Sequence, residues 1–367
     1  MSDYTDQRAR TLLLATREVL KELPDACSEF IQSIADTTQP LTRYVYATDL
    51  RIFCRFLMDE VPSFARYPSM VAIPHEAFGE VTARQIRNYM EYLGFYISND
   101  EERTNTEPGK TRKLSSLRSF YEYLVKSEAI TSDPSRLVDM PKRHEKPILR
   151  MEIDEAARML DLVESGEALA DEHQRKYNEH TKLRDLAILT LFLGTGIRVS
   201  ELVGLDLNDI DFNVNGFLVT RKGGNQAILY FPDEVANVLK RYINEVRLEE
   251  TPLPGHEDAL FLSLQKKRMG VRSVQMMVKK YAVAAAPLKT RLSPHKLRST
   301  FGTNLYNETG DIYLVADVLG HSDVNTTRRH YAAMSDEHRR TAAKMVKLRD
   351  EDAKKTDIEG DLSGSDA

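Results

Sequence analysis

Large apolar side chains return at every third or fourth position over stretch after stretch of this chain, and that period constrains its fold more than any other feature. Tyr46, Leu50, Phe53 and Leu57 make one such stripe, with Arg51 and Arg55 on the other side. Leu114, Leu117, Phe120, Tyr121 and Leu124 make a second, opposite Arg112, Ser115, Arg118 and Ser119. A segment with this period buries one face only when it is helical. The pattern predicts helices over 1–22, from near Leu41 through the first stripe, from Thr82 (as cap) to about Tyr96, and from Thr111 to about Lys126. Further on it predicts helices over Glu152–Ser165, Lys182–Leu193 and Val199–Leu205, then roughly 233–248, 272–285, 294–307, 312–319, 323–331 and 335–348. The exception is Phe217–Thr220 and Ala227–Phe231, two short apolar runs around the polar turn Arg221–Gln226, which read as a β-hairpin. Residues 59–80, with three prolines, and the polar stretch 98–110 read as connections.

At about 150 residues per domain, a length of 367 residues predicts two or three domains with room for buried cores. The composition, 41% hydrophobic and 29% charged, excludes a disordered or collagen-like chain. The longest apolar stretch, Leu186–Leu193, is far too short to span a bilayer, and no secretory signal opens the chain. Two cysteines, Cys27 and Cys54, make neither a disulfide framework nor an ordinary zinc site, so a reducing cytoplasm is expected.

Charge is unevenly placed. Residues 350–367 hold seven acids and two lysines, which accounts for the whole net charge of -5 and leaves residues 1–349 neutral. Arg103–Arg150 holds eleven Lys or Arg against six Asp or Glu, a local excess that permits an anionic partner. Within it, PKRHEKPILR combines two prolines with five basic residues and reads as a linker. The expected organisation is mainly α: a helical domain over 1–140, a basic linker over 141–150, a mostly α domain with a small antiparallel sheet over 151–349, and an acidic, disordered tail over 350–367.

In the second domain, several groups suited to a phosphodiester stand at element boundaries. Arg198 follows the glycine-flanked break GTGIRVSEL, with Glu201 three residues on. Lys222 lies in the hairpin turn beside two glycines. In SPHKLR, Ser293 suits a helix cap and Pro294 the first helical position, which places His295 and Arg298 one turn apart. Gly320 stops a helix just before His321, and Tyr331 follows ten residues later. Each of these alone is an ordinary structural feature.

Their order is not ordinary. Arg, Lys, His-x-x-Arg, Gly-His and then Tyr resembles the pattern of tyrosine site-specific recombinases, through RDLAILTLFLGTGIRVSEL, TRKGG, SPHKLRSTFGTNLY and VLGHSDVNTTRRHY. The N-terminal half resembles their helical, SAM-like core-binding domain through KLSSLRSFYEYLV, and the second half then corresponds to their catalytic domain. The chain is most similar to bacterial Xer-type recombinases, in particular the single-recombinase form of some Gram-positive bacteria. Its spacing of ten between His321 and Tyr331, where nine is commonest among Xer proteins, also resembles some phage and transposon integrases.

The resemblance implies cleavage and rejoining of DNA through a 3′-phosphotyrosyl intermediate. Tyr331 is then the nucleophile, His295 the general base, and Arg198 and Arg298 the clamps on the nonbridging oxygens. His321 adds a hydrogen bond, Lys222 protonates the leaving 5′-oxygen, and Glu201 orients Arg198. It implies no metal, no ATP and no cofactor. The implied partners are a double-stranded DNA recombination site and three further copies of the chain, as a homotetramer on two sites. The C-terminal segment 335–348, with Ala342, Met345, Val346 and Leu348, is a candidate for docking on a neighbour or on its own domain. Candidate DNA contacts outside the catalytic set are Arg112, Arg118, Lys142 and Arg143. The implied role is chromosome dimer resolution at cell division. The alternatives are integration of a phage, conjugative or transposable element, a non-cleaving DNA-binding accessory protein, and a type IB topoisomerase.

Overall fold

A computed structural model describes residues 3–98, 100–142, 150–166, 172–221, 224–289, 292–321, 323, 324 and 327. The chain divides into two compact units, Met1–Lys146 and Pro147–Ala367. The architecture is mainly α with small antiparallel sheets. Among the described residues no helix is long and apolar enough to cross a membrane.

The first unit runs α1 (Asp3–Leu20), α2 (Asp25–Ser33), α3 (Pro40–Glu60), α4 (Ala83–Tyr92), β1 (Tyr96–Ser98), β2 (Glu101–Arg103) and α5 (Glu107–Lys126). The two stripes read from the sequence supply much of its core. Leu50, Phe53 and Leu57 of α3 and Leu114, Leu117, Phe120, Tyr121 and Leu124 of α5 are all buried. Phe120 stands edge-on to Phe30 of α2 and to Phe78, with ring centroids 5.6 and 5.0 Å apart. Thr82 caps α4 reciprocally with Gln85, whose Oε1 accepts the Thr82 N–H at 2.7 Å. Residues 62–80 connect α3 to α4 through three short 3-10 turns.

Residues 98–110 are not the plain loop expected. They complete a two-stranded hairpin and begin α5 four residues early, with Pro108 in its first turn. The β2 residues are all exposed, so the strand has no apolar alternation to betray it.

The second unit runs α6 (Ile153–Ser165), α7 (Glu172–Thr195), α8 (Val199–Leu202), β3 (Ile210–Asp211), β4 (Gly216–Thr220), β5 (Gln226–Tyr230), α9 (Asp233–Tyr242), α10 (Val271–Ala285), α11 (Pro294–Thr309) and α12 (Ile312–Leu319). Helix α7 is its axis: Leu186, Ala187, Ile188, Leu189, Leu191 and Phe192 are buried, and α6, α9 and α11 pack on it. The strands form an antiparallel sheet of order β3-β4-β5, with Val219 opposite Ala227 and Thr220 opposite Gln226. Helix α9 passes at its end into a π-helical turn, Ile243–Arg247. The predicted helices over 323–331 and 335–348 and the acidic tail fall largely or wholly outside the described residues.

Helix α7 is twice as long as its apolar part. Its polar first half turns Asn178 inward, where that side chain finds buried partners. Asn178 donates to the Val163 carbonyl at 3.1 Å and accepts from the Tyr281 hydroxyl at 2.6 Å. The same Tyr281 hydroxyl lies 3.1 Å from Asp185, which pairs with Arg184 at 2.7 Å, so α7 and α10 are joined by a polar network. Burial pushes the Tyr281 hydroxyl well above its ordinary pKa, and the neighbouring Asp185 carboxylate adds to the shift.

Candidate active site

The site is built around the C-terminal end of α12. Asp311 caps its start, accepting from the N–H groups of Tyr313 and Leu314 at 2.8 and 3.1 Å. It stops at Gly320, whose φ of +60° suits a residue without Cβ. The Gly320 N–H donates to Asp317 O at 2.8 Å and the His321 N–H to Ala316 O at 2.9 Å, a Schellman closure that fixes the backbone at His321. The carbonyls of the last turn and of Gly320 point outward and need partners.

Three arginines supply them. Arg198 Nη2 donates to Leu319 O at 3.2 Å and to Gly320 O at 2.9 Å. Arg298 donates through Nη2 to the same Leu319 carbonyl and through Nη1 to Gly196 O. Arg221 donates to Asp317 O at 3.2 Å and Val318 O at 2.9 Å. Cationic groups are favoured here because the helix C-terminus carries partial negative charge.

Local sequence explains how Arg198 arrives. Helix α7 ends at Thr195, and Gly196 turns the chain with φ +62°. A Cβ on Gly196 would overlap the Phe301 ring of α11 and lie 3.0 Å from Leu319 Cδ2. The glycine therefore permits both the turn and the close packing of α7 on α11 and α12. Arg198 then opens the short helix α8. Glu201 accepts from its Nη1 at 2.7 Å and from its backbone N–H at 3.0 Å. The Glu201 side chain is 5% exposed and that of Arg198 32%, so the carboxylate fixes the guanidinium plane while its edge stays accessible.

His295 and Arg298 sit in the early turns of α11, His295 exposed and Arg298 buried. Pro294 occupies the first helical position as expected, but Ser293 makes no side-chain cap; its carbonyl instead accepts from Lys296 and Leu297. His321 Nδ1 lies 2.7 Å from Oγ1 of Thr327, which is fully buried. Thr327 escaped the sequence reading although it lies within VLGHSDVNTTRRHY, because a threonine there carries no charge and no titratable group; its hydroxyl contact restrains the orientation of the imidazole. Arg221 escaped it too, since an arginine in a hairpin turn reads as solvated.

Of the sequence-predicted set, Arg198, Glu201, Arg298 and His321 thus converge on one helix end. Lys222 and Tyr331 lie outside the described residues. In the first unit, Arg112 pairs with the buried Asp49, although its side chain is 45% exposed. Arg118 donates to Val138 O at 2.6 Å and to Ser135 O at 3.4 Å, tying α5 to the segment after it. Both arginines therefore have internal partners where the pattern placed a DNA-facing surface. Lys142 is exposed, and Arg143 lies outside the described residues.

Two guanidinium groups anchored on one carbonyl, at a helix end that also presents an imidazole, are suited to gripping a phosphate and neutralising charge that develops on it. Residues 150–338 match the phage integrase family. The chain is 32% identical over 328 residues to tyrosine recombinase XerC of Caldanaerobacter subterraneus subsp. tengcongensis, covering 86% of this chain and 84% of that one. Among solved structures it resembles XerH site-specific recombinase bound to palindromic difH substrate, at TM-score 0.60 and 18% identity over 84% of this chain and 80% of that one. It also resembles the Tn1549 transposon integrase in complex with circular intermediate DNA, at TM-score 0.59 and 18% identity over 88% and 99%. Those two likenesses speak for the fold, which a recombinase and a transposon integrase share.

Proposed function

The chain belongs to the phage integrase family of tyrosine recombinases, and from that premise we propose that it cuts and rejoins DNA at specific sites with Tyr331 as nucleophile. The observation that carries the assignment of residues is the meeting of Arg198, Arg298 and His321, from three separate motifs, at the end of α12.

The Tyr331 phenolic oxygen attacks the scissile phosphorus while the bond to the 5′-oxygen breaks, leaving a 3′-phosphotyrosyl ester. A free phenol has a pKa near 10, so its proton must be taken as the oxygen attacks; exposed His295 on α11 accepts it. Arg198 and Arg298 hold the two nonbridging oxygens, and their charge is worth most where the pentavalent transition state concentrates negative charge. Both are planar and preset by backbone anchors, so little reorganisation is needed on phosphate entry. His321, oriented by Thr327, donates a further hydrogen bond. Lys222 gives a proton to the leaving 5′-oxygen. Religation runs the same steps in reverse with an incoming 5′-hydroxyl, so the ester conserves the energy of the broken bond.

The partner is double-stranded DNA, and exchange between two sites requires four copies of the chain. The similarity to a XerC protein over most of both lengths favours chromosome dimer resolution over element integration.

The test is a DNA site nicked a few nucleotides to the 3′ side of the scissile phosphate, so that the short fragment bearing the new 5′-hydroxyl diffuses away and the covalent adduct accumulates. The wild-type chain is expected to form an adduct stable to denaturant and Tyr331→Phe none, with DNA binding kept. Adduct formation by Tyr331→Phe would overturn the assignment. For the biological role, deleting the gene should leave chromosome dimers unresolved at division; normal partition with loss of excision of a mobile element would assign the other role.

A further inference from the structure

One of the three arginines at the end of α12 has no part in the reaction above. Arg221 leaves β4 and opens the hairpin turn, where its N–H donates to Asn225 O at 2.7 Å and its carbonyl accepts from Gly224 at 3.1 Å. Its side chain reaches out of the hairpin to Asp317 O and Val318 O, at 3.2 and 2.9 Å. The next carbonyls along, Leu319 and Gly320, are those that anchor Arg298 and Arg198. A Cβ on Gly320 would overlap the Arg221 guanidinium, so the glycine that stops α12 also makes the room Arg221 occupies. On the outer face of the hairpin, Leu218, Ile228 and Tyr230 are 39%, 55% and 65% exposed.

We propose that Arg221 is a positioning residue for strand cleavage: it pins the tip of the β4–β5 hairpin to the His321 end of α12, and so carries Lys222 to the reacting phosphate. Lys222 follows Arg221 directly, with neighbouring Cα atoms about 3.8 Å apart, so fastening one restrains the other. A guanidinium spans two adjacent carbonyls with a planar fork, and the helix C-terminus favours its charge. The proposal rests on the reading of Lys222 as the proton donor to the leaving 5′-oxygen.

That dependence supplies the test. In a substrate whose scissile phosphate carries sulfur in place of the bridging 5′-oxygen, the P–S bond breaks and the thiolate leaves without needing a proton, since thiols ionise near pH 8.5. On the ordinary oxygen substrate, Arg221→Ala is expected to slow adduct formation by about 10- to 100-fold, within the range general acid catalysis supplies. On the sulfur substrate its rate should return close to wild type, as should that of Lys222→Ala. The double variant should be no slower than Lys222→Ala on oxygen, because both changes remove one function. Equal slowing of Arg221→Ala on both substrates, with Lys222→Ala rescued, overturns the proposal and leaves the Lys222 reading standing. Failure of sulfur to rescue Lys222→Ala overturns the reading itself. If Arg221→Ala unfolds, Arg221→Lys, which retains charge but not the fork, is judged by the same comparison.

Discussion

Arg198 and Arg298 donate to one and the same main-chain oxygen, that of Leu319. The end of α12 is therefore a template that sets the distance between the two guanidinium groups. Arg298 is almost wholly buried at this anchor, whereas Arg198 keeps an accessible edge. The helix end that fixes them is the one that presents His321, so the two guanidinium groups and this imidazole share a single reference.

Replacing either arginine by lysine keeps the charge and loses the fork. Arg198→Lys and Arg298→Lys are each expected to lower single-turnover adduct formation by about 10²- to 10³-fold. DNA affinity, measured by gel shift, should change little, because in the proposed mechanism these two groups meet a single phosphate of a long site.

Glu201 grips Arg198 at two places, the guanidinium and the backbone N–H. Glu201→Gln removes the charge-assisted part of that grip, and a loss of about tenfold in cleavage is expected, equivalent to one hydrogen bond to a charged group. Unfolding by urea should show a smaller change than the rate does, since the glutamine still accepts one of the two bonds.

Gly196→Ala and Gly255→Ala separate backbone strain from packing. Both glycines have positive φ, +62° and +83°, but a Cβ at Gly255 meets nothing within 4 Å while one at Gly196 strikes Phe301. Gly255→Ala should cost about 1–2 kcal/mol for the left-handed backbone alone. Gly196→Ala should cost about 1–3 kcal/mol more for overpacking, and should also slow cleavage, because the Gly196 carbonyl anchors Arg298. Thermal unfolding and the adduct assay read the two effects.

In the first unit, Asp49 is buried among Arg112, Lys113 and Ser116. Burial holds the Lys113 ammonium below its ordinary pKa, against the pull of Asp49. Asp49→Ala leaves that ammonium uncompensated and should destabilise the chain by about 3–5 kcal/mol at pH 7. A lysine whose folded pKa is depressed binds more protons unfolded than folded between the two pKa values, so stability rises with pH there. The deficit of Asp49→Ala should therefore shrink between pH 7 and about pH 10, read from urea midpoints.

The α3 and α5 stripes, the Thr82 cap and the β4–β5 hairpin were legible because each depends on neighbours within a few residues. Helix α2 was not seen, nor the polar half of α7, whose Asn178 is satisfied by a tyrosine 103 residues away. Arg112 and Arg118 show the same limit: an arginine on the polar side of a stripe looks solvated until its partner appears, here Asp49 or the Val138 carbonyl.

By itself the sequence determined the mainly α class and the family, and it supplied the candidate chemistry, since periodicity and motif order are written along one dimension. The tertiary structure alone decided that Leu319 is the shared anchor, that Thr327 orients His321, and that Arg221 joins the hairpin to α12. A guanidinium reaches several ångströms from its backbone and bonds whatever carbonyl the fold brings there. No local pattern encodes which carbonyl that will be.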